Sequence, residues 1–139
     1  MTRTVRAIYG VASVAWLTRF VDYSTGYDYE AGFIPVDNLY TPLVWSIACL
    51  CMFFLFLFAA ISGRYRAGIY AGLFGHAVFL MLASQIFQRS MLPYPWPPED
   101  PRLVASNLVN GSICLILAAS VWYRNRVHKE KLILKEQRE

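Results

Sequence analysis

Carboxylates are few in this chain of 139 residues, nine in all, and none lies in the middle of an apolar run. That absence removes the membrane-embedded acid on which proton-coupled and cation-coupled transport depends. Cysteine is also scarce. Cys49, Cys51 and Cys114 all fall inside apolar stretches, so neither a disulfide framework nor a C-x-x-C redox centre is expected. Cys49 and Cys51 are two apart and would point to different faces of a helix, and all three cysteines are expected to be buried and inert. Only two histidines are present, His76 in an apolar segment and His128 near the C-terminal end, which excludes a haem held by two histidines of one copy. The sequence has no phosphate-binding glycine motif, no nucleophile triad and no zinc-ligand spacing. Asp28 and Glu30 lack the loop pattern of a calcium site. The expectation is a protein without enzymatic activity, metal or cofactor.

What the chain has in abundance is apolar length. Hydrophobic residues make up 57% of it and aromatics 16%, and the mean hydropathy is +0.38. Between Tyr40 and Gly63 there is no charge at all, a run that matches the hydrocarbon thickness of a bilayer. Four apolar segments can be drawn, at about 5–21, 39–62, 67–88 and 103–123, so the expected fold is an all-α integral membrane protein, a four-span helix bundle. The first segment is the weakest, because Arg19 interrupts it; Arg19 can snorkel to the interface, where Asp22 and a polar loop are expected. Arg3 and Arg6 ahead of Ala7 to Leu17 also have the outline of a signal peptide. No small-x-small cleavage site follows, so a spanning helix fits better, with an interfacial helix as the other alternative.

Lysine and arginine distribution sets the orientation. With four crossings and both termini cytoplasmic, Arg3, Arg6, Arg64, Arg66 and the cations from Arg124 to Arg138 lie inside. Only Arg19, Arg89 and Arg102 lie outside. The net charge of +4 therefore reads as topology, and no nucleic-acid partner is expected. The first outer connection is rich in Tyr and Gly (Tyr23, Gly26, Tyr27, Tyr29, Gly32). The second carries Pro93, Pro95, Pro97, Pro98 and Pro101 and is expected to be stiff and extended. Tyr40, Trp45, Tyr94, Trp96, Trp122 and Tyr123 stand where interfacial anchors belong. After Tyr123 nothing stops a helix, so the last segment is expected to continue as a charged cytoplasmic tail over 124–139, beyond a membrane domain of 1–123. Leu132, Ile133 and Leu134 offer that tail an apolar patch for a membrane surface or a second copy.

Polar residues within the segments crowd the outer half: Arg19, Ser46, Ser84, Gln85, Gln88, Arg89, Ser106, Asn107 and Asn110. In hydrocarbon such groups have to find partners, so an outward-facing polar cluster is expected; interhelical hydrogen bonding that only fixes packing is the plainer account. Gly68, Gly72 and His76 recur every four residues with Gly75 beside them. They form a small-residue face that a helix bearing Asn107, Gly111 and Cys114 can approach closely. His76 is read first as a hydrogen-bonded packing residue, with a proton, quinone or shared-ligand role as the alternative.

Small size, several spans, no catalytic residues and the charged end from Arg124 to Glu139 resemble a phage holin. The resemblance lies in architecture and rests on no residue motif. It implies self-association in the cytoplasmic (inner) membrane and permeabilisation without catalysis, with the lipid bilayer and further copies of the chain as partners. The alternatives are an accessory subunit of a respiratory or transport complex, held by partner subunits, and a small channel or transporter.

Overall fold

The computed structural model describes residues 1–25, 40–90 and 101–137. The Tyr- and Gly-rich connection beyond Thr25 and the proline-rich stretch with Tyr94 and Trp96 lie outside the described residues. Among the described residues all regular structure is helical: α1 Arg3–Thr25, α2 Tyr40–Ser62, α3 Tyr65–Ser90 and α4 Pro101–Glu136. Three helices contain a stretch long and apolar enough to cross a membrane, Leu43–Ser62, Tyr65–Ser84 and Val104–Glu136. α1 is not among them, because Arg6, Arg19 and Asp22 hold its hydropathy down. Two boundaries differ from expectation for local reasons. α1 runs past Asp22 to Thr25, with the hydroxyls of Ser24 and Thr25 bonded back to the carbonyl of Val21. Pro101 opens α4 instead of closing the proline-rich connection, since the first helical position needs no N–H and suits its fixed φ.

The chain packs as two compact units, Met1–Ala67 and Gly68–Glu139. In the first, α1 and α2 lie antiparallel, as the contacts of Arg6 with Ala60 and Ile61 require. The buried face of α1 is Val5, Tyr9, Ser13 and Trp16, spaced by four, four and three. On α2 the buried residues Trp45, Cys49, Met52, Phe56 and Ala59 alternate spacings of four and three, the seam of helices that interlock side by side. Fully buried Phe56 meets Tyr9 at a ring-centroid distance of 5.4 Å and Trp16 at 6.2 Å. The Phe- and Leu-rich α2 thus has one face in the core; Leu43, Ile47, Phe54, Phe58 and Ile61 on its other sides are exposed. Cys51 is exposed while Cys49 and Cys114 are buried, which corrects the expectation for all three and follows from the helical angle between positions 49 and 51.

The end of α2 is closed by α1. Gly63, at φ +63°, takes the left-handed position after the helix, and its N–H donates to the carbonyl of Ala59 at 3.2 Å. The next two carbonyls, of Ala60 and Ile61, accept from Nε and Nη2 of Arg6 at 2.7 and 2.8 Å, and the carbonyl of Gly63 accepts from the Met1 ammonium at 2.8 Å. A guanidinium suits this task because its donors form a rigid fork and its charge opposes the negative end of the helix dipole. Arg6→Ala is expected to lower stability in detergent unfolding by about 1–2 kcal/mol, as charged hydrogen bonds are lost. Arg6→Lys should recover only part of this, since an ammonium cannot span two successive carbonyls as the fork does.

Candidate functional site

In the second unit the closest approach of helices falls where glycine removes the side chain. A Cβ on Gly72 would sit 2.7 Å from the Cys114 carbonyl oxygen, 2.8 Å from Cβ of Ala118 and 3.0 Å from its backbone nitrogen. Two turns further along α3, a Cβ on Gly111 would meet Cβ of Phe79 at 3.2 Å. The order of these contacts makes α3 and α4 antiparallel. Along α4 the buried positions are Val104, Asn107, Gly111, Cys114, Ala118 and Val121, alternating three and four throughout. Along α3, Gly68, Gly72 and Gly75 are buried together with Ala71, Phe79, Leu82 and Ala83. Small residues let the two backbones come close, and dispersion between backbones then replaces the hydrophobic driving force that lipid does not supply.

His76 belongs to this seam. Its Nδ1 lies 2.9 Å from the carbonyl oxygen of Gly111 and, because a carbonyl only accepts, carries the hydrogen of that bond. The bond crosses from α3 to α4 at the point where Gly111 has no side chain. The arrangement positions a helix pair; among the described residues it brings His76 to no carboxylate or cysteine cluster, and no group of three or more His, Cys, Asp or Glu among them could hold a metal ion.

The predicted polar residues are placed as follows. In the first unit Ser46 is buried and Arg19 half-buried. From Arg6, Arg19 stands about 20 Å along α1. In the second unit Asn107 is fully buried, Asn110 half-buried, and Ser84 and Ser106 exposed. The side chains of Gln85, Gln88 and Arg89 lie outside the described residues. Ser106 and Asn107 point apart because adjacent helical positions differ by about 100°. Asn107 takes part in an interaction, while its buried Oδ1 accepts no hydrogen bond from the described residues. Asp22, expected in a loop, is a half-buried helical residue. The sequence reading also missed Tyr9, Ser13 and Trp16 as a buried face; their spacing with Val5 was the available signal. Ser13 satisfies its hydroxyl within α1, donating to the Gly10 carbonyl at 2.7 Å.

Compared with protein-family models, curated proteins and solved structures, the chain matches none of them.

The seam yields an ordered series in thermal or denaturant unfolding. Gly72→Ala pushes a methyl against backbone atoms and is expected to cost about 1–3 kcal/mol. His76→Leu removes one interhelical hydrogen bond and should cost about 0.6 kcal/mol, at most about 1.7. Gly10→Ala, with nothing within 4 Å of the added Cβ, should be neutral or stabilising. A Gly72→Ala protein as stable as the parent would contradict the close approach.

Proposed function

We propose that this chain is a non-enzymatic protein of the cytoplasmic membrane, crossing it four times with both termini cytoplasmic, and acting by self-association in the manner of a holin-like permeabiliser. The observation that carries the reading is a second seam on α4. Beside the buried positions runs an exposed set, Ala105, Leu108, Ser112, Leu115 and Ala119, again alternating three and four. Small residues recur at every seventh position between leucines, the pattern with which membrane helices admit a neighbour. Ser112 carries no polar demand to that face, since its hydroxyl donates to the Leu108 carbonyl at 2.8 Å. A second copy of α4 is the occupant proposed for it.

The fourth crossing is supported by α1. It lies against α2, which is long and apolar enough to cross, and its own outer residues Ile8, Val11, Val14, Leu17 and Val21 are apolar and exposed. A helix lying in water would carry polar groups there. Arg3, Arg6, Arg64 and Arg66 gather at one end of this helix pair, as the positive-inside rule asks of the cytoplasmic side. The same exposed seam also fits a helix of another membrane protein, which is the accessory-subunit reading.

Expression of the chain alone in a bacterium, with membrane potential and culture density followed over time, separates the two. Abrupt collapse after a delay is expected, together with cross-linked oligomers. Ser112→Trp, which blocks the seam, should abolish the collapse and reduce the chain to monomer. Unaffected growth and copurification with a stable assembly of other subunits would replace self-association by the accessory role.

A further inference from the structure

One charged face of the molecule lies outside the seams between helices. Beyond its apolar part α4 continues as helix to Glu136, with most side chains exposed. Arg124, His128 and Lys131 recur at four and three residues and stand in one stripe, which Lys135 prolongs. With Tyr123 and Val127, the first three line an open notch of ≈ 230 Å³. Among the described residues no acid shares that stripe. On the opposite side Arg126 is 3.3 Å from Glu130 and 5.8 Å from the centre of the Trp122 ring, so part of its charge is already compensated. Helical side chains lean toward the N-terminus, which here is toward the apolar part of α4. Exposed Trp122 and Tyr123 stand at that junction, where amphipathic rings favour the headgroup level.

We propose that the Arg124–His128–Lys131 stripe binds the phosphate headgroups of anionic phospholipids in the leaflet where α4 leaves the membrane. Charge and position together select this occupant. The stripe is continuous with a membrane-crossing stretch and its side chains lean back onto the plane where lipid phosphates lie. At 1.5 Å per residue Lys131 stands about 10 Å beyond Arg124 and Lys135 about 16 Å. Against a screening length of about 8 Å, Arg124 and His128 meet headgroups directly. Lys131 reaches them through its flexible stem, and Lys135 adds little.

The inference rests on α4 crossing the bilayer and not on self-association. The full chain is reconstituted in phosphatidylcholine vesicles containing spin-labelled phosphatidylglycerol or spin-labelled phosphatidylcholine, and the motionally restricted fraction of each lipid is measured by electron paramagnetic resonance. A preference for phosphatidylglycerol is expected, falling about fivefold for each charge removed in Arg124→Gln and Lys131→Gln. The charge-keeping pair Arg124→Lys with Lys131→Arg should retain it, and so should Arg126→Gln with Lys129→Gln. Equal loss in the Arg126/Lys129 variant would show diffuse charge and overturn the stripe. Loss of the preference to inorganic phosphate, at an ionic strength matched with chloride, would overturn the lipid assignment in favour of a general anion site. If α4 does not cross, restricted lipid of both kinds falls together, because one lipid-facing helix is lost while α2 and α3 remain. Unfolding temperatures in the same vesicles distinguish lost binding from a lost fold.

Discussion

Within the hydrocarbon of a bilayer no water waits along the seams between helices, and this one constraint organises much of what the structure shows. The backbone carbonyls released at the end of a helix also require donors, from interfacial water or from the protein. The end of α2 meets the requirement by borrowing from α1: Gly63 turns left-handed to serve Ala59, and the fork of Arg6 takes Ala60 and Ile61. A residue that reads as an orientation signal is therefore also the clamp that sets the register of the first helix pair.

Between α3 and α4 the constraint acts differently. Lipid is as apolar as leucine, so association cannot draw on the hydrophobic effect and rests instead on close approach and shared polar groups. Gly72 against Cys114 and Ala118 supplies the approach, and His76 supplies a polar link to Gly111. Both contacts use glycine on one side, which is why substituting either glycine differs in kind from substituting a leucine on the outer surface. The isolated Arg126–Glu130 pair, exposed on both sides, adds little stability by comparison.

Helix content, the membrane address and the helical continuation past Tyr123 were legible in the sequence because each rests on composition and on local propensity over many residues. The small-residue face of α3 was legible for the same reason, since Gly68, Gly72, Gly75 and His76 repeat at helical spacing. Other features were not legible. α1 hid its buried face because Tyr9, Ser13 and Trp16 are only moderately apolar, and a membrane helix needs no strong contrast between its faces. Cys51 and Cys49 could not be ranked for burial until the seam of α2 was known.

The sequence by itself determined the solvent in which this protein folds and three of the four apolar stretches drawn from it, because hydropathy and charge sum along the chain without regard to contacts. Only the tertiary structure decided which face of each helix is inside, where Arg6 spends its donors, that Ser106 and Asn107 part company, and that α4 carries a buried seam beside an exposed one. Those are decisions of register. A shift of one residue turns a helix by about 100°, and only close packing against a partner selects among such rotations.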